Sequence, residues 1–129
     1  MKVYLVAGEP SGDKLGAELM AGLKSCAPYE LDFCGVGGFL MEEQGLTSLF
    51  PISEIAVMGI GEILAKYSFL KKRIKNTVDD ILRLKPDVLI TIDAPEFSLR
   101  VAKMVRKKLF INTVHYVAPT VWAWRPNRA

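Results

Sequence analysis

The chain has 129 residues, half of them hydrophobic and 24% charged, enough to bury roughly two-thirds of its unfolded surface in one core. Its composition excludes general disorder, and no apolar run approaches the roughly 18 residues needed to span a bilayer. The net charge of +3 divides unevenly, with three basic and nine acidic side chains in residues 1–65 against fourteen and five in residues 66–129. Such asymmetry fits a second half that meets nucleic acid, a phosphorylated ligand or an acidic membrane, or simply solvated helix faces of different sign. Two cysteines and one histidine allow neither a disulfide framework nor a zinc site built from Cys and His. The five apolar residues before Gly8 are too few for a signal peptide, so a cytoplasmic location is expected.

Val3–Ala7 is a β-rich run stopped by Gly8-Glu9-Pro10-Ser11-Gly12-Asp13. Leu15, Leu19, Leu23 and Cys26 then recur at helical spacing, with Ser11 or Asp13 expected as the cap and Pro28 as the stop. Leu31–Cys34 reads as a second strand closed by Gly35-Val36-Gly37-Gly38, followed by a short helix from about Leu40 to Gln44 and a strand from Ser48 to Ile52. A long helix is predicted over Glu62–Leu84, with Ile63, Tyr67, Leu70, Ile74, Val78 and Ile81 on one face and Lys85-Pro86 as its end. Asp87–Ile92 is a buried strand, Ser98–Lys108 a basic helix and Ile111–Val117 a final strand. Residues 118–126 fit neither period.

Strand, turn and helix in alternation predict an α/β fold: a Rossmann-like, doubly wound, mostly parallel sheet with helices on both faces. Ligands then belong at the carboxyl ends of the strands, where residues 8–13, 93–97 and 118–125 meet. The first loop is neither a phosphate-binding Walker loop nor Gly-x-Gly-x-x-Gly, yet it sets helix-start N–H groups beside Ser11. Its other reading is an ordinary capped turn. Asp93 follows an apolar strand directly, so its carboxylate stands at the strand's mouth, placed either to take a proton from an attacking hydroxyl or to serve as a turn aspartate before Pro95. Glu96 is near enough to share that role or to hold substrate hydroxyls. Trp122 and Trp124, two apart, either stack on sugar and acyl chains or seal the sheet. His115 reads as a core or rim histidine and has no part in the mechanism. Residues 66–75 hold five basic side chains and no acid, with Phe69 and Leu70 among them and Leu64 a turn earlier. This suits an anionic membrane surface, or a plain solvated face; no nucleic-acid motif accompanies it.

In these segments the sequence resembles the amino-terminal part of the lipid-A-disaccharide synthase family, over essentially its whole length. The resemblance rests on VAGEPSGDKLGAEL (6–19), the GVGG turn (35–38) with Met41, IAVMGIGEIL (55–64), KPDVLITIDAPEF (85–97) and HYVAPTVWAWRPNR (115–128). It implies the amino-terminal half of a GT-B glycosyltransferase that inverts at the sugar carbon and requires neither metal nor cofactor. The implied reaction joins a UDP-2,3-diacylglucosamine donor to a 2,3-diacylglucosamine 1-phosphate acceptor, releasing UDP and the lipid A disaccharide 1-phosphate.

By the same resemblance Asp93 is the general base. Glu9, Ser11, Gly12 and Asp13 belong to the substrate loop, and Met58, Gly59 and Glu62 lie beside the acceptor, with Glu96 and Trp122 as further substrate contacts. Leu64, Lys66, Phe69, Leu70, Lys71, Lys72 and Arg73 fall in the membrane-docking region, with no nucleic acid as partner and a location on the inner face of a Gram-negative inner membrane. Glu96 and Ser98 replace the Asp and Asn common in the family, and Ala118 replaces a serine. The carboxy-terminal domain that holds the UDP-sugar is not in these residues, so a truncated single domain without activity of its own is expected. A freestanding nucleotide-binding module and a membrane-surface adaptor are the alternative readings. A phospho-receiver is disfavoured, because Gly8-Glu9-Pro10 stands where it needs an acidic pair.

Overall fold

The computed structural model describes residues 1–28, 30–52, 63–93 and 95–116, the side chains of 63–67 and 95–96 excepted. The order of elements is β1 (Lys2–Ala7), α1 (Pro10–Cys26), β2 (Asp32–Val36), α2 (Phe39–Glu43), β3 (Thr47–Ser48), α3 (Ile63–Leu84), β4 (Val88–Ile92), α4 (Pro95–Arg106) and β5 (Asn112–Tyr116). The five strands form one sheet in the order β3-β2-β1-β4-β5, and every pairing is parallel. This is the doubly wound, Rossmann-like arrangement that the alternating pattern predicts. The strand order reverses direction at β1 and β4, so the carboxyl ends of these two strands flank the crevice where such sheets take ligands.

Strand periodicity decides which side chain enters which core. Tyr4, Val6, Val36 and Leu89 face α3 and α4, where they meet Ile74, Val78, Ile81, Phe97, Val101 and Val105. Val3, Leu5, Ala7, Ile90 and Ile92 face the other way, against Ala17 and Met20 of α1 and Met41 of α2. Each fully buried aliphatic side chain contributes about 1.5–3 kcal/mol. On α3 the stripe of Ile74, Val78 and Ile81 is buried as predicted.

Several boundaries differ from expectation, each for a local reason. Glu9 is the N-cap of α1 and makes no side-chain capping bond, while Ser11 and Asp13 lie inside the first turn. Pro10 starts the helix because its fixed φ and missing N–H suit that position. The buried stripe of α1 is Gly12, Asp13, Gly16, Ala17 and Met20, with Leu15, Leu19 and Leu23 on its flank and Cys26 exposed. Small residues bring this helix close to the sheet: a Cβ on Gly16 would stand 2.7 Å from Met41 Sδ and 3.0 Å from Ile92 Cδ1. β3 spans two residues, not five, at an edge of the sheet just before Pro51. α4 starts at Pro95, three residues earlier than its periodicity indicates, again with proline leading. β5 is largely exposed, since among the described residues it too is an edge strand.

The α3 face also buries a polar group. The Tyr4 hydroxyl donates to Asp80 Oδ2 at 2.7 Å, and Arg83 donates to Asp80 Oδ1 at 2.6 Å. Burial, then the hydrogen bond to Asp80, pushes the Tyr4 hydroxyl far above its ordinary ionisation range. Burial, then the Asp80 charge, pushes the neighbouring Cys34 thiol up to about 11. Both groups ionise more readily in the unfolded chain, so stability falls as pH rises past about 9. Urea midpoints measured at pH 8 and pH 10.5 should show this loss, and Tyr4→Phe combined with Cys34→Ser should flatten it.

Gly35 has φ +137, and a Cβ there would collide with the Leu5 carbonyl oxygen. Gly35→Ala is expected to cost more than about 3 kcal/mol in denaturant unfolding.

Candidate functional site

The site is built from what leaves the carboxyl edge of the sheet. β1 exits through Gly8 into the exposed Glu9, Pro10 and Ser11. Because Pro10 has no N–H and Asp13 N–H bonds Glu9 O at 2.9 Å, only Ser11 and Gly12 have spare helix-start donors. Among the described residues these two N–H groups meet no acceptor. They offer two helix-start donors at the end of β1, beside the Glu9 carboxylate.

Asp93 lies one residue beyond the register pairs Ala7–Ile92 and Ile92–Tyr116. It is therefore level with Gly8 on one side and the end of β5 on the other, with neighbouring strands about 4.8 Å apart. Its backbone occupies the left-handed region at φ 46, which Asp tolerates better than most residues but still at a cost. Its N–H bonds Tyr116 O at 3.1 Å, so the turn is fastened to β5. The carboxylate is half-buried, and no described residue pairs with it. A carboxylate held this way has its acceptor lone pairs available to an incoming hydroxyl.

Asp13 has a different surrounding from its neighbours in the first loop. It is 7% exposed, and its carboxylate accepts the N–H groups of Gly38 at 2.8 Å, Leu40 at 3.0 Å and Met41 at 3.0 Å. These are the first donors of α2, whose own N-cap, Gly38, has no side chain to offer. Asp13 thus caps α2 from α1 and fixes the second loop against the first. Ser48 fixes the third: its hydroxyl accepts Gly37 N–H at 3.0 Å and donates to Phe50 O at 2.6 Å.

The outer side of this edge holds a feature that periodicity did not reveal. A cleft of about 360 Å³ lies between Gly37-Gly38-Phe39 and Ser48–Ile52, and Phe39, Leu40 and Leu49 are exposed by 70%, 40% and 40%. The signal in the sequence was apolar residues placed directly after the glycine turn, where solvated loops carry polar ones.

The remaining expected residues divide into three groups. Met58, Gly59, Glu62 and Trp122 lie outside the described residues, and of Leu64, Lys66 and Glu96 only the helical backbone is described. Lys71 and Lys72 are exposed on α3, as a surface-docking reading requires, and Phe69 is half-buried. Leu70 and Arg73 do not join that outward set. Leu70 packs against the core, and the Arg73 guanidinium lies 4.9 Å from both the Phe50 and the Phe69 ring centres. Helical spacing accounts for the correction, because position 70 shares the stripe of 74 and 81 and position 73 falls beside it. Among the described residues no group of three His, Cys, Asp or Glu could hold a metal. His115, read as a core or rim residue, is exposed on β5, with Nδ1 2.7 Å from Thr91 Oγ1.

The family model of lipid-A-disaccharide synthetase matches residues 3–129. The chain belongs to this family. It is 57% identical over 129 residues to the lipid-A-disaccharide synthase of Ruegeria pomeroyi, covering all of this chain and 32% of that protein. It is 50% identical over 129 residues to that of Rhodopseudomonas palustris, covering 99% of this chain and 33% of the relative. It is 49% identical over 128 residues to that of Pseudomonas fluorescens, covering 99% and 34%. The chain therefore spans about a third of the length of the curated relatives it matches. Within the family's fold, Asp93 stands at the strand end that topology marks for ligands, and Asp13 holds the loops around it.

Removing the Asp13 carboxylate leaves three backbone donors without their acceptor. Asp13→Ala should cost about 3 kcal/mol or more in urea unfolding, and Asp13→Asn, which keeps one acceptor oxygen, should cost less.

Proposed function

We propose that these residues form the acceptor side of an inverting glycosyltransferase of lipid A biosynthesis. The donor is UDP-2,3-diacylglucosamine, the acceptor 2,3-diacylglucosamine 1-phosphate, and the products are UDP and the tetra-acylated disaccharide 1-phosphate. The single observation that carries the reading is Asp93: a half-buried carboxylate without a described partner, in a left-handed turn at the end of a central strand, within a chain of this family. The carboxylate takes the proton of the acceptor's 6-hydroxyl as its oxygen bonds to the anomeric carbon of the donor. The bond from that carbon to the UDP oxygen breaks on the opposite side, so the configuration inverts and UDP leaves with the electron pair. One base and one stabilised leaving group suffice for such a displacement, with no covalent enzyme intermediate.

Glu9, Ser11 and Gly12 line the rim facing Asp93 and are proposed to hold acceptor hydroxyl or phosphate groups. Asp13 supports them through α2. The exposed Phe39, Leu40 and Leu49 suit the acyl-chain side of a lipid substrate. Met58, Gly59, Glu62, Glu96 and Trp122 complete the proposed substrate contacts. No helix among the described residues is long and apolar enough to cross a membrane. Peripheral contact with an anionic bilayer on the cytoplasmic side, through the stretch around Leu64, Lys66, Phe69, Lys71 and Lys72, brings the enzyme to acylated substrates. The donor's UDP group is assigned to a carboxy-terminal domain in the two-thirds of the relatives that this chain does not match, so the 129 residues alone are proposed to be inactive.

The test is Asp93→Asn in a chain extended to the relatives' full length. Disaccharide formation should fall about 10²–10⁴-fold in kcat, with KM for the acceptor little changed. Full turnover by this variant, or turnover by the 129-residue chain alone, would overturn the assignment concerned.

A further inference from the structure

Helices α3 and α4 lie side by side on one face of the sheet, and a groove of about 640 Å³ runs between them. Seven of the side chains lining it are lysine or arginine and one is acidic. That acid, Asp79, bonds Lys75 at 3.3 Å on the helix surface. Lys72, on α3, faces the groove opposite Lys103, Lys107 and Lys108, on and just after α4. All four are exposed, and among the described residues none of them has a carboxylate partner. The groove floor is apolar, formed by Ile74, Val78 and Met104, and Met104 is 39% exposed.

Such a cluster costs self-repulsion in the free protein, which counter-charge from outside relieves. The kind of counter-charge follows from the lining. Among the described residues no aromatic side chain lines the groove, so these offer the bases of a single-stranded nucleic acid nothing to stack on. Lys72, Lys103, Lys107 and Lys108 are exposed and long, a poor cage for one small phosphate but a good match to a plane of many. The apolar floor tolerates the glycerol and first methylene groups beneath a headgroup.

We propose that the α3–α4 groove is a docking site for anionic phospholipid headgroups, so that membrane contact extends from α3 across Lys103, Lys107 and Lys108. This inference deepens the proposed function and rests on it for the reason a bilayer is a partner at all, since the proposed substrates are acylated. The α4 wall, however, lies outside the stretch of α3 that the sequence singles out.

The experiment is co-sedimentation of the purified protein with phosphatidylcholine vesicles containing about 30% phosphatidylglycerol, and with pure phosphatidylcholine. The parent should bind the anionic vesicles preferentially, and more weakly as salt rises from about 50 to 300 mM. Lys103→Glu, Lys107→Glu and Lys108→Glu together should weaken binding by more than about a hundredfold, since each lysine is worth about fivefold and the added carboxylates repel the surface. The glutamine triple variant should lose less, and it serves as the second readout if charge reversal impairs folding. Parental binding by these variants, with loss confined to Lys71→Glu/Lys72→Glu, would overturn the groove while leaving the α3 contact. Preference for an RNA oligonucleotide, or displacement from vesicles by millimolar glycerol 1-phosphate, would also overturn it. Disaccharide formation from detergent-dispersed substrates by the full-length enzyme separates the two ideas. Absence of that activity in the parent defeats the proposed function alone, and loss of vesicle binding with activity retained shows the groove acting as inferred.

Discussion

One buried carboxylate organises the edge where the chemistry is proposed. Asp13 belongs to α1 but spends its charge on the first three donors of α2 that point at it, Gly38, Leu40 and Met41. A buried anion is costly unless it is fully bonded, and here it is bonded by an array of backbone dipoles already aligned toward it. The loops after β1 and β2 are consequently fastened to each other. Met41, fixed by the same contact, fills the space that Gly16 and Gly37 leave open, so the cap and the core on this side of the sheet cooperate.

Around that fixed edge, each strand end has a separate task. β1 delivers unpaired N–H groups, β2 and β3 frame a cleft with apolar rims, and β4 ends in a carboxylate held in a high-energy turn. The turn at Asp93 is tolerable because its N–H is tied to β5 and its strand is buried on both faces. Backbone strain of this kind persists only where the surroundings over-determine it. The rigid sheet below supplies that support. The proposed chemistry and the stability therefore sit on the same strands but at different heights.

Much of this was legible in the sequence because the apolar spacing was unambiguous. The continuous apolar runs of β1 and β4 and the 74–78–81 stripe on α3 indicated the layers, and the position of Asp93 after a buried run indicated its place at the edge. What periodicity missed came from residues without a hydrophobic signature. Three of the five inward residues of α1 are glycine or alanine, whose contribution is close approach and not area, so the leucines beside them dominated the reading. Asp13 looked like a helix cap or a ligand contact because its true partners are 25 to 28 residues away in the chain. Arg73 looked like a surface charge, and only the three-dimensional fold brings Phe50 beside it. The recognised motifs supplied the chemistry that patterning cannot reach.

The exposure of β5 has a bearing on how the polypeptide behaves in solution. Among the described residues this strand has one hydrogen-bonded neighbour in the sheet, and Val114 and Tyr116 are 50% and 39% exposed. A ladder open on one side, with bulky side chains next to it, is a template on which another chain can add by backbone pairing. A strand added at this margin would extend the sheet beside the Asp93 turn, which Tyr116 already fastens.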